Sequence, residues 1–535
     1  MKSDEQLHES MDARLRWAQR RQRILPSEWP RLSALRAPGR TCFVCDRTGE
    51  SVTFEETDRR IDAIAGSLVE DAGIDQGDRL AILGVDCHRY LELLLACGRL
   101  GVTVIPLNNR LAEAEVVNLM ERGEARALVV SREYAELGHA VALQAPDVEA
   151  PISLDESSPH APAGSVASWA ESGRTPPARE VDEEDILAIS FTSGTTGRAK
   201  GVLQSHRMFK SMVEAGATVH HVPDADREFR YSAAPMFHIA GSALVLNGVA
   251  RGFPTLIRDA FDPAATLSWL QSGRVTAAFL VPTMVSMLLE QEHVAEGDYS
   301  GLHTIQYGAA PMPPSLLKRA QRVFGCDFMQ MFGAGTESGL QAVLTEHDHR
   351  RSAEGDEHLL TSVGRVPFGV DLRLVDEDLN DVPLGEVGEI ATRSDMIMSG
   401  YFGMPEETAE ALRDGWFRAG DLAWMDEESY LYLSGRKKDM IIRGGENIYP
   451  VEIETVLGSH PEVRECAVIG VADEHWGERV KACVVVSEKD SPTEEELRAH
   501  CRENLAKYKV PELFEFVEDF PRNASGKILK RELRT

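Results

Sequence analysis

Ile186-Leu-Ala-Ile-Ser-Phe191 runs directly into Thr192-Ser-Gly-Thr-Thr-Gly-Arg-Ala-Lys-Gly201. Six mostly apolar residues in an unbroken run read as a buried strand. The segment behind it suits an anion: glycine lets backbone N–H groups converge, hydroxyls add donors, and a lysine adds charge. Thr192, Ser193, Gly194, Thr195, Thr196, Gly197 and Lys200 therefore form a candidate phosphate cradle that a triphosphate would fit. It is not a Walker A loop, which needs a Gly-Lys-Ser/Thr order, because here the lysine precedes the glycine. A flexible surface turn is the other reading of such a cluster.

Upstream of this stretch the pattern alternates. Ile61, Ile64 and Leu68 recur at helical spacing, with Gly73 placed to close the helix, and Leu80-Ala-Ile-Leu-Gly-Val85 is of strand length. Residues 90–100 and 113–122 read as helices, and residues 102–105 and 127–130 as strands. Helix and strand in alternation imply a largely parallel sheet covered by helices. Residues 146–177, rich in Pro, Ser, Ala and acidic residues, lack either period and read as a surface connection. Downstream, the pattern changes near Gly435. A strand at 440–442, a helix at 451–457, strands at 466–471 and 482–486 and a helix at 494–505 make a small mixed domain. The expected architecture is α/β: a large N-terminal domain of helix-covered sheets, residues 1–434, and a smaller mobile α+β domain, residues 435–535.

Composition narrows the function. The 535 residues carry 57 basic against 86 acidic side chains, a formal charge of −29, which disfavours a nucleic-acid binder that works by counterion release. The charged N-terminus has no apolar run of signal-peptide length, and the uncharged stretch 231–250, with Pro235, His238, Gly241, Asn247 and Gly248, reads as protein core and not as a membrane span. Eight scattered cysteines fit reduced thiols and a cytoplasmic location. Cys42-Phe-Val-Cys45 looks like a strand and has no second pair at zinc spacing.

Further segments bring in a resemblance. In chain order stand Tyr307-Gly-Ala-Ala-Pro311, Gly333-Ala-Gly-Thr-Glu337, Trp416-Phe-Arg-Ala-Gly-Asp421, Gly435-Arg-Lys-Lys-Asp439, Gly444-Gly-Glu-Asn-Ile-Tyr-Pro450 and Pro521-Arg-Asn-Ala-Ser-Gly-Lys527. With the phosphate cradle they resemble, across almost the whole chain, the adenylate-forming superfamily of acyl-CoA synthetases, adenylation domains of non-ribosomal peptide synthetases, and luciferases. Two departures stand out. Ala199 precedes Lys200 where the family often has proline. Phe332-Gly-Ala-Gly335 stands where an aromatic-Gly-x pattern is common, so either one residue is inserted after Phe332 or Gly333 replaces the aromatic that stacks on adenine.

The resemblance implies roles residue by residue. A carboxylate attacks the α-phosphate of ATP to give an acyl-adenylate, and the thiol of CoA then displaces AMP. Gly308, Ala309 and Ala310 would contact adenine, Thr336 and Glu337 the phosphates and Mg²⁺, and Asp421 and Arg436 the ribose. Lys438 would be the hinge, in a run where the assignment can slip by one. Lys527 would stabilise charge at the α-phosphate, and Gly444 and Gly445 would border the CoA channel. His238, in Ala234-Pro-Met-Phe-His238, matches a position between acyl pocket and thiol channel. Amino-acid-activating relatives carry Asp there to pair with the substrate ammonium, so His238 implies an acid without one. The implied enzyme is an acyl-CoA synthetase acting on a small-molecule carboxylic acid, its chain length left open, with ATP and CoA. A ligase that loads a carrier protein in trans and a non-catalytic nucleotide binder are the rivals. Which acid it takes, and whether it is a homodimer, stay open.

Overall fold

A computed structural model describes residues 24–145, 147–156, 158–192, 199–444, 446–473, 475–486, 492–522 and 528–534. The chain divides into two compact units: Met1–Phe191 with Gly201–Glu214 and Pro235–Ala260, and Thr192–Lys200 with Ala215–Ala234 and Phe261–Thr535.

In the first unit, strand β1 (Thr41–Cys45) is followed by helix α1 (Phe54–Glu70), then β2 (Arg79–Leu83), α2 (His88–Leu100), β3 (Thr103–Pro106), α3 (Glu113–Arg122), β4 (Ala127–Val130), β5 (Ile186–Phe191), β6 (Gly201–Ser205) and α4 (Ile239–Arg251). The order β4-β2-β3-β5 is parallel throughout, and β6 pairs with β5 antiparallel, with Phe191 opposite Gly201. The strands are apolar on both faces because helices cover both. α1 starts where Thr53 and Glu56 cap each other reciprocally. α2 ends at Gly101, whose φ of +72° is a left-handed stop that favours glycine. Leu91, Leu93, Leu95 and Ala96 of α2 join Ile61, Ile64, Leu80, Val104, Leu187 and Val245 in one core.

The expected helices and strands of this unit are present within one or two residues. Residues 146–177 differ from expectation. They contain a strand, Ile152–Ser153, and a helix, Val166–Trp169, and bury Ile152, Leu154, Val166 and Trp169 in the core. Elements of two and four residues are too short to express a period, and Ser165, which accepts the Ser168 N–H at 3.1 Å, is the local signal for the helix.

In the second unit, Arg230–Ser232, β7 (Ala277–Phe279), β8 (Thr304–Gly308) and β9 (Asp327–Phe332) pair in parallel. β10 (Gly388–Ser394), β11 (Trp416–Met425) and β12 (Leu431–Arg436) form an antiparallel sheet. Farther on, helix α5 (Pro450–Gly458), strands β13 (Val463–Asp473) and β14 (Gly477–Val486) and helix α6 (Glu494–Asn504) surround a cluster of their own, with Ile441, Ile453, Leu457, Val468, Val480, Leu497 and Cys501. All eight cysteines are free, Cys42 and Cys45 buried on β1. Among the described residues no helix is long and apolar enough to cross a membrane.

Candidate active site

The candidate phosphate cradle begins where β5 ends. Thr192 N–H donates to the Lys200 carbonyl at 2.9 Å, so the loop is closed at its base. Ser193, Gly194, Thr195, Thr196 and Gly197 lie outside the described residues. The Lys200 ammonium stands 4.5 Å from the centre of the Tyr401 ring, a cation–π contact that directs the charge. Tyr401 is buried; no spacing in the sequence points to it, because its role depends on meeting Lys200 in space.

Glu337 lies in a single helical turn, Gly335–Ser338, after β9, together with Thr336. Its N–H donates to Ala334 O and its carbonyl accepts from Met398 N–H, both at 2.8 Å, which fixes the turn. Burial pushes the Glu337 carboxyl up to about 7; Arg436 and Lys200 oppose that shift and Asp421 adds to it. Residues far apart in sequence, from 200 to 436, thus act on one carboxyl group.

Asp421 and Arg436 face each other across β11 and β12. Arg436 Nε donates to Asp421 Oδ1 at 3.0 Å, leaving further guanidinium N–H groups and the second carboxylate oxygen for a ligand. Past β12 the chain makes a 3₁₀ turn, Lys437–Asp439. Lys437 pairs with Glu377 at 3.0 Å and lies 3.9 Å from Glu389. Lys438 is lowered by burial and by Arg436, with Asp439 and Asp421 opposing. Arg436 and Asp421 thus both act on Lys438.

Gly308 ends β8, and the turn beyond it places Ala309 at φ +67°, a left-handed conformation that costs a residue with a Cβ. Tyr307, just before, is buried and hydrogen-bonds His349 Nε2 at 2.9 Å, so it belongs to the core. Two observations bear on the two readings of this aromatic position. Phe332 packs against the cluster of Ala342, Val363, Ile390 and Leu431. At Gly333 a Cβ would lie 1.9 Å from the Gly339 carbonyl oxygen, so no larger residue fits that backbone.

His238 belongs to the first unit and caps α4. Its Nδ1 accepts the Ala240 N–H at 3.2 Å, so the neutral ring carries its proton on Nε2, and burial holds its pKa below the ordinary histidine value. Gly444, at φ +60°, donates its N–H to Trp476 O at 2.8 Å, and a Cβ there would stand 2.9 Å from the Trp476 ring. Gly445 and Lys527 lie outside the described residues.

At the opposite ends of the parallel strands, His220, Glu228 and His303 bring their ligand-capable atoms within 4.8 Å of one another. Arg230 lies among them, 3.2 Å from Glu228 and 2.7 Å from His220 Nδ1. A guanidinium in that place makes the group an ion-pair network and not a cation site.

Comparison with known proteins gives the class of protein to which this fold and these candidate residues belong. Residues 31–402 match the family of AMP-binding enzymes and residues 452–527 the AMP-binding enzyme C-terminal domain. The chain belongs to that family. Among curated proteins it is similar to the feruloyl-CoA synthase of an Amycolatopsis species, 37% identical over 516 residues that cover 95% of this chain and 98% of the relative. Similarity to the long-chain-fatty-acid–CoA ligase FadD13 of Mycobacterium tuberculosis is 32% identity, covering 93% and 95%. Among solved structures, the amide bond synthetase McbA from Marinactinospora thermotolerans superimposes with a TM-score of 0.85 at 31% identity, covering 95% of this chain and 99% of that one. The o-succinylbenzoate CoA synthetase of Bacillus subtilis, solved with its acyl-adenylate, gives a TM-score of 0.80 at 27% identity, covering 95% and 98%. The α/β fold, with a large N-terminal and a smaller C-terminal domain, is that of adenylate-forming enzymes.

Proposed function

We propose that this chain is an AMP-forming acyl-CoA synthetase, which activates a carboxylic acid as its acyl-adenylate and transfers the acyl group to CoA. The observation that carries the reading is the meeting of Lys200, Asp421 and Arg436 around the Glu337 carboxyl group. A polyphosphate brings negative charge that needs cations, and a ribose brings hydroxyls that need a carboxylate and a fork of donors. Two cations and two carboxylates in one place meet both needs.

Mg²⁺ fits this donor set. Glu337 is a hard oxygen ligand whose ionised form is disfavoured by burial even with two cations near it, and a divalent ion restores that balance. Glu337, with Thr336 beside it, would hold the ion, which when bound neutralises phosphate charge. Lys200 holds phosphate oxygens through its ammonium. Asp421 accepts from the ribose hydroxyls and Arg436 donates to them. Lys527 stabilises the charge that develops at the α-phosphate as the carboxylate oxygen attacks and pyrophosphate departs.

For the second half-reaction, residues 435–535 turn as a domain against residues 1–434, about Lys438. Gly444 and Gly445 then border the pantetheine arm, and His238 gates the passage between acyl group and thiol. With His238 where an ammonium would need a carboxylate, the substrate is an organic acid lacking an α-amino group. Free, largely buried thiols fit a cytoplasmic enzyme.

Pyrophosphate release is to be measured over a panel of aryl and aliphatic acids, each alone, with CoA, with a phosphopantetheinylated carrier protein, and with an amine. Acid-dependent release with thioester formed on CoA is expected. Thioester formed only on the carrier, or an amide formed with the amine, overturns the choice of acceptor; no release with any acid overturns the enzyme.

A further inference from the structure

Asp86 stands between β2 and α2, is 5% exposed, and is 150 residues away in sequence from the group it holds. Its Oδ1 accepts the Met236 N–H at 2.9 Å. Met236 lies inside the turn that delivers His238: His238 N–H closes on Pro235 O at 3.1 Å, and Gly241 N–H on His238 O at 3.0 Å as α4 begins. The hydrogen bond that Met236 N–H donates to Asp86 therefore ties this turn to the loop after β2.

The packing beneath the turn is looser than the hydrogen bonding around it. A cavity of about 10 Å³, room for about one water, lies under Met236, Phe237 and Ile239 and is bordered by Tyr90, Ser190 and Ser242. Tyr90, one helical turn beyond Asp86, is 1% exposed, and its hydroxyl has no hydrogen-bond partner among the described residues. A segment lying over a void forfeits part of its dispersion contacts, so the buried hydrogen bond carries more of the burden of fixing it. The charged and titratable groups facing Asp86 are Asp259, Arg110 and Tyr90; burial, with Asp259 adding, pushes the Asp86 carboxyl up to about 8 against the Met236 N–H and Arg110, and a carboxyl group has an acceptor oxygen in either protonation state.

We infer that Asp86 is a positioning residue for His238: by holding the Met236 backbone it fixes the turn and the direction of the imidazole, and so governs thioester formation while leaving adenylate formation intact. The inference rests on the gating role proposed for His238 and extends it to a residue outside the site residues named above.

The test separates the half-reactions in the full-length enzyme. Asp86→Ala should leave acid-dependent pyrophosphate release within about twofold and lower the rate of thioester formation from supplied acyl-adenylate and CoA by about tenfold, the scale of losing a hydrogen bond to a buried N–H. Asp86→Asn keeps an acceptor oxygen at the same reach and should restore the rate. In nitrogen-15 histidine spectra, with the His238 signal identified by its loss in His238→Ala, Asp86→Ala should move the His238 titration up toward 6.5, the value of an unburied ring, and Asp86→Asn should not. Should Asp86→Ala fail to fold, Asp86→Ser keeps a polar group but is too short to reach Met236, and the same loss is expected. Normal thioester formation and an unmoved His238 titration in a folded Ala or Ser variant overturn the inference, as does failure of Asn to rescue. If His238→Ala itself leaves thioester formation unchanged, the gating role has failed, which is a separate result.

Discussion

Gly333→Ala is a change of one methyl group in the turn between β9 and Glu337. The added Cβ would stand 1.9 Å from the Gly339 carbonyl oxygen, 3.0 Å from its carbon and 3.1 Å from Gln341 N. All three are backbone atoms, so no side-chain rotation relieves the overlap. Restoring a contact of 3.0 Å takes a backbone shift of about 1 Å, and overpacking of this kind costs about 1–3 kcal/mol. The Gly335–Ser338 turn lies between the two colliding residues, so the shift is transmitted to Glu337, whose carbonyl is anchored by Met398 N–H. A displacement of about 1 Å in a positioning element can cost about a hundredfold in rate. The assay pairs a thermal melt with acid-dependent pyrophosphate release at saturating and limiting ATP. Expected are a lowered melting midpoint and a pyrophosphate rate reduced tenfold to a hundredfold (order of magnitude). Gly333→Tyr should be worse than Ala, because the ring adds to a collision already made by the Cβ. A Tyr variant with improved ATP affinity and an unchanged melt would refute the reasoning, and would mean that an aromatic was lost at this position and can be put back.

Lys527→Ala should slow adenylate formation by about a hundredfold yet still convert supplied acyl-adenylate and CoA to thioester; equal loss in both half-reactions contradicts the division of roles. Gly445→Leu is expected to do the reverse, keeping pyrophosphate release and losing thioester formation, since a bulky side chain obstructs a narrow arm without touching ATP; normal thioester synthesis by a stable variant removes Gly445 from the channel. Glu228 titrates in the acid range: burial alone would raise it, but the hydrogen bond from His303, the charge of Arg230 and the Thr276 hydroxyl bring it down to about 2 from 4.5. A carboxyl depressed in the fold stabilises it above the unfolded value and loses that contribution as pH falls from about 4.5 toward 2, a contribution of about 3 kcal/mol at neutral pH. The stability gap between the wild-type chain and Glu228→Gln, measured by denaturant unfolding, should therefore narrow between pH 5 and pH 3.5 (rough window), and a gap that stays constant would show that His303 and Arg230 do not set the titration.

Much of the architecture is local in origin. Strand β5, helix α3 and strand β4 fall where apolar periodicity and strand-length runs place them, because period and length are properties of neighbouring residues. Linear order also suffices to single out Thr336, Glu337, Asp421, Arg436 and Lys438 as candidates, since each sits in a short segment whose chemistry is carried by adjacent side chains. Partnership in space is decided elsewhere. Tyr401 under Lys200, the Asp86 oxygen on Met236 N–H and the Gly339 carbonyl that leaves no room beside Gly333 join residues with no shared period. The buried pieces of residues 146–177 are too short to announce themselves. Each of these pairings is set by which strands lie side by side and which loops they bring together, and the free energy that selects it, burial and close packing summed over the core, depends on contacts the chain makes only once it has folded.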